Sequence, residues 1–339
     1  MTAFRDEAQL RAAIRDAGLQ EMAGALLASA RPAQLFLRRQ RPDDALPTGA
    51  SKMGGVPDWP PGRPWPTRLA RPDAAAWAEQ VRLRGARLQA YLQGRGLVPE
   101  PRLAVHDALL IDSFYRPFPL AFRAQLDLQA LAELPGFDAD LPRHGLLSLF
   151  EDLTGDGSGH ETRLIWHDGP IAALQRRPVP EPIIALSDAL QPGIPWSAMD
   201  QAEVLEPHPA LTLPHRWLTA SGWRDERLFQ LLRRPSQQLL LPGEPGPGDG
   251  QVGWFADRLG GWPDPIQSDP ESEMPEAPGA MAPGDDRIRH VFSWGGEHHG
   301  GTRLPNSQIG GDGTTHVMIP REALLARRFG AARGIYQSD

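Results

Sequence analysis

Cysteine is absent from this 339-residue chain, which excludes a disulfide framework, a thiolate metal site and a cysteine nucleophile. Lysine is almost absent: of 35 basic residues Lys52 is the one lysine, and the rest are arginine. Heavy arginine and alanine use is the codon signature of a GC-rich, bacterial genome, and a position that stays lysine against it stands out. No apolar run reaches the roughly 20 residues a membrane-spanning helix needs. Arg5, Asp6 and Glu7 leave no apolar centre for a secretory signal near Met1. These absences lead to the expectation of a soluble, cytoplasmic protein. A formal net charge of −7 argues against a phosphate-tracking groove, since nucleic-acid binders carry basic stripes. No nucleic-acid or membrane partner is therefore expected.

What is present divides into periodic segments and irregular ones. Leu10, Ile14, Ala17, Met22, Ala25 and Leu26 recur at helical spacing, predicting one helix from about Asp6 to Ser29. Ala33–Arg39 reads as a strand. A second helix is predicted from Asp73, acting as cap, to Gln93, with Trp77, Val81, Leu88 and Leu92 as its apolar stripe. Strands are predicted over Leu120–Leu128, Gly145–Glu151 and Thr162–His167, the second apolar enough to be covered on both faces. Later come a helix near Asp225–Arg234, strands at Arg287–Trp294 and Thr315–Ile319, and a helix over Arg321–Phe329. Residues 242–250 and 264–286 have loop composition, rich in Pro, Gly and acids.

One motif occurs twice. Lys52-Met53-Gly54-Gly55-Val56-Pro57-Asp58 returns as Arg258-Leu259-Gly260-Gly261-Trp262-Pro263-Asp264. Paired glycines allow positive φ, and the proline restricts the residue before it, so each copy specifies a shaped loop. Two copies imply a duplicated unit.

Those loops, with Pro119–Leu128, His144–Glu151, Gly260–Asp269 and the tail from Gly311 to Asp339, resemble the YwqG-like proteins, a bacterial family without an established reaction. The resemblance implies an α+β, β-rich fold with internal duplication: two related sheet-containing halves preceded by an N-terminal helix. It places that helix at 1–32, the first half at 33–190 and the second at 191–339. Two departures stand out. About fifty extra residues, 67–117, separate the first loop from its strand. The second half carries Val291–Gly296 where a Gln-x-Asp strand is expected. Such genes lie near bacterial toxin loci, so the resemblance also implies an immunity or antagonist role.

No motif marks a reaction. His298 and His299 lack the spacing of zinc ligands, and a calcium-like start at Asp152 meets Arg163 where the loop needs a bidentate glutamate. Phosphate-binding and nucleophile-elbow motifs are missing. No metal, cofactor or catalytic residue is therefore assigned. Asp58, Asp127, Asp264, Asp269 and Asp312 suit turn capping. Lys52 suits an anion contact, a catalytic amine if buried, or pairing with a motif aspartate. Arg258 at the matching position favours a role needing only charge.

Three readings remain, one of them a scaffold with no specific chemistry. The leading one is a protein-binding module, its partner another protein such as a toxin, with Trp77, Val81 and Leu88 of the insertion as contact residues and the acidic loop 264–286 as a second contact element. The acidic balance suits a basic partner. The alternative is an enzyme or small-ligand protein whose cleft lies between the halves, using Lys52, Gln125, Asp127, Arg258, Gln267, Asp269 and Asp312. It requires those side chains to converge.

Overall fold

A computed structural model describes residues 3–98, 101–154, 162–190, 201–222, 224–233, 257–277, 281–295 and 313–337. Strand β1 (Ala3–Phe4) precedes helices α1 (Glu7–Asp16) and α2 (Ala23–Ser29), then β2 (Arg31–Pro42), β3 (Lys52–Gly54), β4 (Asp58–Trp59) and β5 (Thr67–Arg68). The inserted helices α3 (Ala74–Gly94) and α4 (Pro101–Phe114) lead into β6 (Phe118–Pro119), β7 (Ala121–Asp127), α5 (Leu128–Ala132), β8 (Leu146–Glu151) and β9 (Thr162–His167). Next come β10 (Gln175–Arg176), α6 (Glu181–Leu190), β11 (Gln201–Thr212), α7 (Arg216–Ala220) and α8 (Glu226–Arg233). The chain closes with β12 (Asp257–Gly260), β13 (Ile288–Gly295), β14 (Thr314–Pro320), α9 (Arg321–Leu325) and β15 (Arg333–Gln337).

The fold is α+β and β-rich. One antiparallel sheet runs β15-β14-β13-β12-β2-β11-β3-β7-β8-β9, with β1 added beside β11. Both halves of the chain share it. At its centre β2 and β11 pair over twelve residues each, from Arg31 opposite Thr212 to Pro42 opposite Gln201. The sheet curls until its ends nearly meet. A Cβ on Gly334 of β15 would sit 2.0 Å from Thr162 Oγ1 of β9, so only glycine permits that approach.

Strand β11 is unexpected from sequence because Pro207 and Pro209 interrupt it. A proline is tolerated where its missing N–H has no ladder partner. Leu205 N donates to Ser51 O on the β3 side, so by alternation the nitrogens of residues 207 and 209 face that side too. There β3 pairs only with residues 202–204 and β1 only with 211–212, which leaves the proline nitrogens opposite no strand among the described residues.

The sheet's concave face buries Phe36, Met53, Leu126, Leu147, Leu205 and Phe292 in one cluster. The opposite face of β7 and β8 packs Phe122 and Phe150 against Val81, Leu110, Phe114 and Ile183 of α3, α4 and α6. The predicted two-face burial of β8 therefore holds: all six of its residues are buried. Each large side chain so removed from water contributes roughly 1.5–3 kcal/mol.

The single helix expected over residues 6–29 is two helices. Gly18 adopts φ +69°; its N–H bonds to Arg15 O and that of Leu19 to Ile14 O, a double cap that ends α1. Helices α1 and α2 then pack with α7 and α8 through Leu10, Ile14, Leu26, Leu218 and Leu231. The closing helix also stops early, at Leu325, and the tail becomes β15. Asp73 does not cap α3 with its side chain; its carboxylate instead accepts from Trp77 Nε1 at 2.9 Å.

Candidate functional site

The first Gly-Gly loop closes on itself. Gly54 and Gly55 take φ +69° and +65°, and a Cβ on Gly55 would lie 2.3 Å from Asp43 Oδ1. That backbone shape lets Lys52 Nζ donate to Asp43 Oδ1 at 2.5 Å and to Val56 O at 2.6 Å. The second carboxylate oxygen accepts from Val56 N at 3.3 Å. Arg176 adds bonds to Asp43 O and Leu46 O. The Lys52 ammonium is wholly buried. Burial lowers its pKa, and the Asp43 carboxylate opposes that shift.

Gln125, opposite Lys52 in the β3–β7 ladder, locks the end of the same loop. Its Oε1 accepts from Asp58 N at 2.9 Å, while its Nε2 donates to Asp58 Oδ2 at 2.6 Å and Ala50 O at 3.0 Å. Gly49 N also donates to Asp58 Oδ2. Lys52, Asp58 and Gln125 are therefore brought together with almost no exposure; Asp58 Oδ1 accepts no hydrogen bond and faces Arg176 Nε at 3.4 Å. Lys52 pairs with Asp43, not with a motif aspartate. Asp43 and Arg176 are the members that spacing does not reveal; the clue is that a buried lysine requires a nearby carboxylate.

The second loop has the same shape and a different chemistry. Gly260 and Gly261 take φ +70° and +69°, and Arg258 Nη1 donates to Trp262 O at 2.9 Å, four residues on, as Lys52 does to Val56. Thr212 Oγ1 accepts from Trp262 N at 2.8 Å, where the first loop uses a carboxylate. Asp264 stands 3.7 Å from Arg258 Nη2, beyond hydrogen-bond reach. Behind Arg258 lie buried His290 and His316, ring centroids 6.1 Å apart. Burial, then the neighbouring Arg258 charge, hold the His316 pKa down at about 3. His290 is lowered well below its usual value by burial and by His316, and its Nδ1 lies 2.8 Å from Gly260 O. Trp262 Nε1 donates to Ser29 O, and the Arg31 guanidinium covers the indole at 3.5 Å.

The remaining residues disperse. Asp127 caps α5, accepting from Gln129 N and Ala130 N. Gln267 is exposed; its N–H and that of Ile266 turn toward Gln337 Oε1. Asp269 faces His215 Nδ1 at 3.4 Å and Arg216 Nε at 3.6 Å. Pro57 and Pro263 are buried at their loop corners. Asp312, His298 and His299 lie outside the described residues. Among the described residues no group of three or more metal-ligating side chains occurs. Among the described residues, Lys52, Asp58 and Gln125 meet, whereas Asp127, Gln267 and Asp269 lie apart from them.

The insertion behaves differently. Helix α3 buries only Ala74, Ala78 and Val81, all in its first half, and every residue from Arg82 to Gly94 is exposed or half-buried. Trp77 is half-buried against Phe114, with Arg71 stacked on it at 4.3 Å. Val81 is core, and of the three expected contact residues Leu88 is the exposed one, at 41%. Eight of the nine large apolar side chains exposed among the described residues lie between Leu69 and Tyr115. A core-facing helix hides such residues; this hairpin displays Leu83, Leu88, Tyr91 and Val105.

A family model described as a domain of unknown function (DUF1963) matches residues 51–337, which contain both Gly-Gly loops and the hairpin. No curated protein matches the chain.

Proposed function

The chain belongs to the DUF1963 family, and from that premise we propose that it is a protein-binding module whose docking element is the α3–α4 hairpin. The observation that carries this is the concentration of exposed large apolar side chains on residues 69–115. Single exposed apolar residues are ordinary, but eight within one segment of the chain are not, and Leu88 and Tyr91, three residues apart, share one side of α3. Charge on the hairpin is mixed: on α3 and the turn after it Arg82, Arg84, Arg87 and Arg95 outnumber Glu79, but Arg82 pairs with Glu79 and Arg84 with Asp107 of α4. The complementary surface is an apolar groove, a mode suited to a helix laid into a groove. A YwqG-like, cytoplasmic antagonist of a toxin is the particular form this reading takes.

We also read the fold as a duplication. In support, Ala202 of β11 lies opposite Gly54 as Ala33 of β2 lies opposite Gly260. Register irregularities fall at Phe122/Ala124 in β7 and His290/Phe292 in β13. Gln125 opposite Lys52 then corresponds to Ser293 opposite Arg258, and the hairpin stands outside the repeated part.

The test is affinity capture from host lysate with the full chain and with a Leu88→Ser/Tyr91→Ser variant. The reading expects one stoichiometric partner, lost from the variant while its melting temperature is unchanged. A partner retained equally by both proteins, or no partner at all, would overturn it.

A further inference from the structure

We propose that a cleft at the seam of the curled sheet binds a small organic anion in which a phosphate is joined to a planar ring. The cleft, about 500 Å³, lies where β9 faces the turn at Phe329–Ala331. That volume matches small-ligand sites. It is distinct from the hairpin and from both Gly-Gly loops.

Charge is the first argument. The ionisable residues in its lining are Arg63, Arg163, Arg327 and Arg328, and no carboxylate is among them. In a chain of net charge −7 this is a local reversal of sign. Arginine is also the side chain best matched to phosphate, through its planar donor fork. Arg327 Nη1 is held by two backbone carbonyls, Asp140 O at 2.5 Å and Leu324 O at 3.4 Å. Arg328 reaches Glu322 at 3.6 Å, both largely exposed, a pair of little strength in water.

Ring geometry supplies the second argument. Among the described residues Arg327 is the only non-glycine with positive φ, at 59°, because it caps α9: its N–H bonds to Leu324 O and that of Arg328 to Ala323 O, which fixes where the two arginines leave the chain. The wall is aromatic. Trp166 is half-buried, its Nε1 fixed on His144 O at 3.0 Å and its ring 6.0 Å from Phe329. Arg63 lies over Trp59 at 5.0 Å, and Trp59 Nε1 donates back to Arg63 O. An arginine pre-stacked on an indole and a second indole face offer a ring somewhere to lie. Phosphate alone would use only half of the site.

Calorimetric titration of the full chain with adenosine monophosphate, adenosine and inorganic phosphate tests this. The nucleotide should bind at least about tenfold more tightly than either fragment, and more weakly as salt rises. Arg63→Glu/Arg328→Glu should reduce its affinity by about tenfold or more; both arginines are exposed, so melting should not change. The hairpin variant Leu88→Ser/Tyr91→Ser should bind the nucleotide as the parent does, which separates this site from the docking reading. No binding by about 1 mM, binding indifferent to the charge reversal, or phosphate as tight as the nucleotide would overturn the proposal.

Discussion

Replacing Lys52 with methionine removes the ammonium while keeping an unbranched apolar stem, and the structure sets the size of the effect. Two short bonds vanish, to Asp43 Oδ1 and Val56 O, leaving the buried Asp43 carboxylate short of its main partner. Breaking a buried pair from one side costs about 3–5 kcal/mol. Arg176 remains 3.4 Å from Asp43 Oδ1 and Val56 N still donates to Oδ2, so the expected cost is the lower end, about 3 kcal/mol. For a chain this long that is a melting shift of roughly 4 °C. Removing both charges with Lys52→Met/Asp43→Asn should recover at least half, because no charge is then stranded. Arg258→Met should cost less than Lys52→Met, since Thr212 stands where the first loop has its carboxylate and the main orphaned group is the neutral Trp262 carbonyl. Urea denaturation of the four proteins supplies the comparison. A cost below about 1 kcal/mol for Lys52→Met, or a double variant as unstable as the single, would refute the view of Lys52 as the core of a structural lock.

Two further outcomes are expected. His316 stays neutral in the folded chain down to about pH 3, whereas the unfolded chain takes up that proton near pH 6.5. Stability should therefore be insensitive to this group above about pH 6.5 and fall below it by up to about 1.4 kcal/mol per pH unit. His316→Gln should flatten that slope in urea melts between pH 7 and 4.5, and an unaltered slope would contradict the burial argument. Gly261→Ala forces φ +69° on alanine with its Cβ 2.6 Å from Thr212 Oγ1 and 2.8 Å from Ala33 Cβ. It should cost about 3 kcal/mol or more, while Gly18→Ala, at the same φ with nothing within 4 Å, should cost only about 1 kcal/mol; equal costs would show that crowding at Gly261 is unimportant.

Strand β8 is visible in the sequence because packing on both faces demands its apolar run, and β7, β9, β13 and β14 because their short segments rich in apolar, aromatic or β-branched residues read as strands. Strand β11 is hidden by Pro207 and Pro209, whose tolerance depends on a gap between β3 and β1 that no local pattern encodes. The break at Gly18 is masked because the apolar stripe continues across it into α2. The stripe of α4 is interrupted by His106, so spacing does not mark that helix. At the loops, the Gly-Gly motif discloses the backbone shape but not the partner of its cation. Asp43 lies nine residues from Lys52, and Thr212 enters from the other central strand. Exposure is the property least legible in sequence: Val81 and Leu88 share one helix, yet one is core and the other faces water.

The most direct test of the docking hairpin is site-specific photo-crosslinking in the host, with a photoreactive side chain at position 88 and, as control, at 325. Leu325 is the one exposed large apolar residue outside the Leu69–Tyr115 segment among those described. The account predicts a discrete adduct with one protein from position 88 and none from position 325. No adduct from position 88, or the same adduct from both, would contradict it.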